Sequence, residues 1–252
     1  MPANFVSTGQ QLSPGVFGKV PQLGDFIRWR MPAYFADPWD AWLQQGLYQL
    51  QASHSKHWLQ YFLNCPIWHF VLSANVVGTS PWCGAMMPSV DAVGRYYPIT
   101  IACRLPLTTN PLSLASCAQV WFQKVEHHLL QLLDDDFSDL SHWDQQLITE
   151  LNPIPNASKQ FQPQHTAFGE AWQLGLCEGL NAALWPEVLD ALLLQRLGNY
   201  SLWWAQATES NNANVLFAHA LPSPTQFCGL IHGDWQATGW ASWPVVKDDN
   251  PM

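Results

Sequence analysis

Apolar residues recur along this chain in two rhythms, one of helices and one of strands, and the changes between them mark out the elements. Trp39, Trp42, Leu43, Leu47 and Leu50 fall at helical spacing and form one apolar face. Asp37-Pro38-Trp39-Asp40 predicts the start of that helix, with Asp37 as cap, Pro38 in the first helical position and Asp40 at the positive end of the dipole. A second helix is predicted over Ser55 to Leu63, stopped by Pro66. PIWHFVLS, WCGAMM and YYPITIACRL are short runs separated by Gly, Ser and Pro, which predicts strands. Ser113 is expected to open a longer helix reaching Leu133, striped by Leu114, Ala118, Trp121, Val125, Leu129 and Leu132. Asp134, Asp135 and Asp136 end it, because negative charge is disfavoured at a helix C-terminus. Ser141 begins S-x-x-D, the pattern of a capping box. Further on are a strand over Thr166 to Leu174, a helix from Trp185 ended by Gly198, and strands over Tyr200 to Ala207 and Asn214 to Ala220. Ser223-Pro224-Thr225-Gln226 is a second capping box and opens the last helix.

Strands interleaved with helices, several in hairpin-like succession, predict an α/β fold in which helices cover both faces of a mixed, largely antiparallel sheet. The 252 residues lie within single-domain range. Residues 1–14 read as a loose arm and residues 15–245 as one compact domain. The stretch 151–165, with Pro153, Pro155 and Pro163 among Asn, Gln and Ser, reads either as a linker or as a long crossing loop.

Composition narrows what such a domain does. Hydrophobic residues make up 48% of the chain, fifteen of them tryptophan, while charged residues are only 12%. The exterior is therefore neutral and polar, or covered by a partner, which favours a protein that works in a complex. Up to Arg104 there are six basic and four acidic residues; beyond it there are four basic and fifteen acidic. That second part repels a phosphate backbone, and the first has no basic stripe interleaved with aromatics, so nucleic-acid binding is excluded. Cys65, Cys83, Cys103, Cys117, Cys177 and Cys228 show no C-x-x-C and read as small buried side chains in a reducing compartment. There is no signal-peptide pattern and no apolar run of membrane-spanning length, so a cytoplasmic location without membrane insertion is expected.

Candidate chemistry concentrates in two turn segments, GVFGKVPQLGDFIRWRMP at Gly15 to Pro32 and PSVDAVGRYYP at Pro88 to Pro98. Gly18, Pro21 and Gly24 punctuate the first, with Lys19, Asp25, Arg28 and Arg30 hung from it; in the second Asp91 and Arg95 flank Gly94. Asp25 with Arg28, and Asp91 with Arg95, are matched charges that predict one composite site. GVFGKV is not a phosphate loop: its glycines are too close, Val20 replaces the hydroxyl residue, and Pro21 has no amide hydrogen. Ser89 and Asp91 suggest a hydrolase fragment only weakly, because the nucleophile elbow is missing. The simpler reading is a turn in which both accept hydrogen bonds from nearby amides and Arg95 pairs with Asp91. Arg95 then either anchors backbone carbonyls or faces a ligand. His54 with His57, His127 with His128, and His69 read as solvated side chains and not as metal ligands, and no cofactor site stands out. Trp203 and Trp204 are adjacent in a predicted strand and so point to opposite faces, one for the core and one for a second layer or a partner.

The first of these segments carries a family signature. The chain resembles the TagF (ImpM) family of type VI secretion-associated proteins in G-K-x-P-x-x-G-D-F at Gly18, Lys19, Pro21, Gly24, Asp25 and Phe26. The likeness continues through Trp39, Asp40 and Trp42, through Pro66, Trp68 and Phe70, and into PSVD-x-x-GR-x-x-P with Ser89, Asp91, Gly94 and Arg95. It is dense over the first hundred residues and weaker at Tyr200 to Gln206. The resemblance implies a three-layer α-β-α arrangement and a non-enzymatic, post-translational negative regulator of type VI secretion. The implied partner is a forkhead-associated-domain scaffold protein, Fha. A structural or assembly accessory of the same machine, and an enzyme using Lys19, Asp25 and Arg95, are the alternatives. Self-association is left open.

Overall fold

The computed structural model of the protein describes residues 13–134, 139–159, 182, 184–206 and 213–242. The chain runs β1 (Gly15–Gly18), β2 (Ile27–Trp29), α1 (Ala33–Ser53), α2 (Trp58–Leu63), β3 (Trp68–Leu72), β4 (Trp82–Met87) and β5 (Ile99–Arg104). It continues through α3 (Pro111–Cys117), α4 (Gln119–Gln131), α5 (Leu140–Glu150), α6 (Leu184–Leu197), β6 (Tyr200–Ala205), β7 (Asn214–His219) and α7 (Pro224–His232). The strands form one seven-stranded sheet in the order β2-β1-β5-β4-β3-β6-β7. Every strand pair is antiparallel, so the expected α/β architecture holds and its sheet is antiparallel throughout the described residues.

Both faces are covered, which is why β3, β4 and β5 read as unbroken apolar runs instead of alternating ones. On one face Trp68, Phe70, Trp82, Met86 and Trp203 pack under α1, α2 and α7. On the other, Val71, Cys83, Ala85, Ile99, Ile101 and Cys103 pack under α4 and α5. The two helices α1 and α7 approach so closely at Gly46 that a Cβ there would overlap the Phe227 ring. Trp203 is fully buried on the first face and Trp204 is half-buried on the second, the opposition expected of neighbours in a strand. Both rings pack inward, with Trp204 stacked on His69 and edge-on to Phe122.

Helix starts differ from the expected ones. The first helix begins at Ala33, after Pro32, and runs straight through Pro38, so Asp37 caps nothing. Burial decides this: the extra turn carries Phe35, fully buried against Trp39 and Trp82, and that outweighs the one backbone bond that Pro38 cannot donate. Asn110 caps α3, accepting from the amides of Leu112 and Ser113 with Pro111 in the first turn, so that helix starts before Ser113. The predicted stripe is buried as expected, but its single helix is broken at Ala118 into α3 and α4. Asp139, and not Ser141, caps α5 by accepting from the His142 amide. The capping box at Ser223 and Gln226 is present, as is a left-handed Gly198 (φ 75°) after α6. Asp135, Asp136, the predicted strand at 166–174 and Cys177 lie outside the described residues, as does the arm but for Ser13 and Pro14.

Residues 151–159 are tied down. Asn110 N donates to Ala157 O and Lys159 N to Thr108 O, while Lys159 Nζ lies 2.7 Å from Asp190 Oδ2 on α6. Among the described residues no helix is long and apolar enough to cross a membrane.

Candidate functional site

The two turn segments meet. After β1 the chain turns at Val20 to Leu23, where Leu23 N donates to Val20 O and Pro21 occupies the position at which its fixed φ suits such a turn. Gly18 has φ 139°, and a Cβ on it would overlap the Pro98 carbonyl of the second segment. The signature glycine therefore lets β1 lie against the end of the other turn. In that turn Asp91 accepts at Oδ1 from the amides of Val93 and Arg95, at 3.1 and 2.8 Å. Gly94 closes it with φ 84°.

Asp91 is the centre of the arrangement. Its side chain is fully buried, and Oδ2 accepts from Lys19 Nζ at 2.9 Å and from Arg95 Nε at 2.6 Å. Burial alone raises the pKa of this carboxyl, but hydrogen bonds from Lys19, from Arg95 and from the two amides outweigh it and hold the pKa well below the usual carboxylate range. Arg95 also donates from Nη2 to Gly24 O at 2.5 Å, and Ala92 N donates to Leu23 O at 3.0 Å. Lys19 lies 5.1 Å from the centroid of the Phe26 ring. Phe26 in turn packs on Phe17 and Tyr97.

Tyr97 is the residue that sequence reasoning passed over, although it stands inside the second motif. Its hydroxyl donates to Asp40 Oδ1 at 2.5 Å; burial, and then the Asp40 carboxylate, push its pKa far up. Asp40 thus joins α1 to the turns instead of serving the helix dipole. The expected pairing of Asp25 with Arg28 is absent: Asp25 is exposed and its Oδ1 accepts from Phe26 N. Arg28 donates to Met31 O and to Asp37, because the β2 strand carries it outward and past the turn. Ser89 is buried, but its Oγ has no hydrogen-bond partner among the described residues, so it does not receive the amide bond expected of it.

The aromatic motif residues Trp39, Trp42, Trp68 and Trp203 lie in the core. Trp39 donates to Thr100 Oγ1, Trp42 to Pro222 O, Trp68 to Leu230 O and Trp203 to Ser201 Oγ. Each indole is thereby buried with its one donor satisfied. Trp68 is set against Trp235, and Trp204 is on the opposite face of the sheet, so neither joins the charged cluster.

Two histidines expected in solvent are buried. His69 sits between Trp204 and Phe122, with Nε2 3.5 Å from Glu126 Oε2; burial pushes its pKa down to about 4, against a smaller opposing effect of the Phe122 backbone. His128 lies 3.3 Å from Glu150 Oε2 and is likewise shifted down by burial, with Glu150 opposing. A second buried ionic cluster had no sequence signal: Asp190 Oδ1 accepts from Tyr200 Oη at 2.6 Å while its Oδ2 faces Lys159. Among the described residues no group of three His, Cys, Asp or Glu side chains is placed to hold a metal ion, and Cys65, Cys83, Cys103, Cys117 and Cys228 are free thiols.

No curated protein matches the sequence. Among solved structures, the crystal structure of PA0076 from Pseudomonas aeruginosa PAO1 is similar, with a TM-score of 0.75 and 28% identity over 95% of this chain and 100% of that one. The pattern of the TagF N-terminal domain, described as type VI secretion system-associated, matches residues 15–149 and so takes in β1 to α5 with both welded turns. The chain belongs to the TagF family of type VI secretion system-associated proteins.

Proposed function

We propose that this protein is a post-translational negative regulator of type VI secretion that binds a forkhead-associated-domain scaffold protein, Fha, and keeps it from assembling. It acts in the cytoplasm by stoichiometric binding and turns over no substrate. The observation that carries this reading is the occupancy of Asp91. An acid or base for catalysis must be free to exchange a proton with a substrate, whereas both oxygens of this buried carboxylate accept from four donors of the protein itself. The charged motif is thus spent on holding two loops together, which serves a binding surface better than a reaction centre. Few charges over a large exterior support the same reading.

Binding by mass action makes occupancy follow the ratio of regulator to scaffold. Raising the level of the protein in cells is expected to silence secretion in proportion to its excess over Fha, and raising Fha alongside is expected to restore it. Silencing at strongly substoichiometric levels would contradict sequestration, and loss of secretion on deletion of the gene would point to an assembly accessory.

A further inference from the structure

We propose that the joined tips of the two turns, Gly24 to Phe26 and Ala92 to Arg95, form the surface that grips the protein partner, and that the partner meets them with an apolar hollow bordered by a carboxylate. This rests on the reading that the protein acts by binding another protein. Turn tips ordinarily carry Gly, Pro, Asn, Asp or Ser, yet here Val93 is 67% exposed and Phe26 41% exposed. A single exposed apolar side chain means little. These two are on loops 67 positions apart that are held tip to tip by the bonds from Ala92 N to Leu23 O and from Arg95 Nη2 to Gly24 O.

The bracing beneath them suits recognition. Lys19, Asp91 and the Phe26, Phe17 and Tyr97 rings fix both loops before any partner arrives, so little conformational freedom is left to lose on binding. Charge then specifies the partner. Lys19 and Asp91 neutralise each other inside the protein, with side chains 7% and 0% exposed, whereas the Arg95 side chain is 56% exposed. Asp25 follows the Gly24 whose carbonyl Arg95 bonds, and its Oδ1 is turned back to the Phe26 amide. The tip therefore offers an apolar pair next to an arginine, the residue type most often found with aromatics at interface centres, and its complement carries a carboxylate. A second copy is disfavoured as the occupant because it would bring together two chains of net charge −9.

The test measures binding of the purified full-length protein to purified Fha by titration calorimetry, using Val93→Glu, Val93→Lys and, at the far edge of the sheet, Val215→Glu. Val93→Glu is expected to weaken binding at least tenfold, Val93→Lys clearly less, and Val215→Glu not at all, with circular dichroism unchanged in every case. Wild-type affinity in Val93→Glu would place the interface elsewhere. Equal losses from Glu and Lys would remove the acidic border. If the wild-type protein binds no Fha, the sequestration reading itself falls and takes this one with it. Self-association of the wild type that Val93→Glu abolishes, seen by sedimentation, would make a second copy the occupant and overturn the choice of partner.

Discussion

Among the described residues the buried carboxylates of Asp91 and Asp190 each anchor an ionic cluster, and the two clusters are built in different ways. In the first, Asp91 is sealed from solvent and shared by Lys19 and Arg95; in the second, Asp190 is shared by Tyr200 and by Lys159, whose side chain keeps a quarter of its exposure. The first assembles from two short motifs and closes a turn around itself. The second gathers a loop, a helix and a strand that share no local pattern. Removing Asp190 leaves a lysine that can turn to solvent, whereas removing Lys19 leaves a fully buried carboxylate short of its one buried cation.

That difference sets the order of expected damage. Lys19→Ala should cost about 3 kcal/mol in urea denaturation, because it removes the cation sealed in with a buried carboxylate. Asp190→Ala should cost only about 1 to 2 kcal/mol, as Lys159 turns to solvent and Tyr200 loses one hydrogen bond. Equal losses would erase the distinction between the clusters. Acid should separate them from the histidines as well. Asp91 has a depressed pKa in the folded state, so its contribution is present above its unfolded value of 3.8 and is lost only as the pH falls below that towards the folded one. His69 is kept neutral with a value near 4, against 6.5 when unfolded. Between those values the unfolded chain binds the extra proton, so stability falls as pH falls through that window. The share of that loss due to His69 from about pH 7.5 to pH 5 should be near 2 kcal/mol, measured by thermal or urea unfolding, and His69→Phe should remove that share while the contribution of His128 stays.

Arg95 gives a finer test. Although it bonds Asp91 and Gly24, more than half of its side chain is in solvent, so Arg95→Ala should lower stability by only about 1 kcal/mol while Lys19 still neutralises Asp91. A loss as large as that of Lys19→Ala would show that the arginine, and not the lysine, carries the cluster. Smallest of all, Ser89→Ala removes a buried hydroxyl that has no partner among the described residues. It should change the unfolding free energy by no more than about 0.5 kcal/mol in either direction.

What was legible in the sequence follows the same division. The strands β3, β4 and β5 could be read because burial on both faces writes an uninterrupted apolar run, and the two turns because Gly18, Gly24, Gly94 and their charges recur at short spacing. Helix starts were harder: Asp37-Pro38 has the look of a cap, but the distant contact of Phe35 with Trp82 decides where α1 begins. The burial of His69 depends on Phe122 and Trp204, which come from other elements, and nothing next to it in sequence announces them. The Asp190 cluster was hidden for the same reason. Tyr97 was within sight, and its neighbour in space, Asp40, was assigned a local helix role that its tertiary partner displaced.

The position of β3 in the sheet bears on how the chain is made. Its partner on one side is β4, a few residues on, but on the other it is β6, and Tyr200 N reaches Ser73 Oγ across 127 positions. During synthesis the edge of β3, with Phe70 and Trp68 beside it, therefore waits uncovered until most of the chain has left the ribosome. Pairing over such a separation is slow, and an open apolar strand edge invites the wrong neighbour meanwhile. A fragment ending at residue 149, where the family match ends, keeps that edge bare permanently and is expected to aggregate where the full chain stays dispersed.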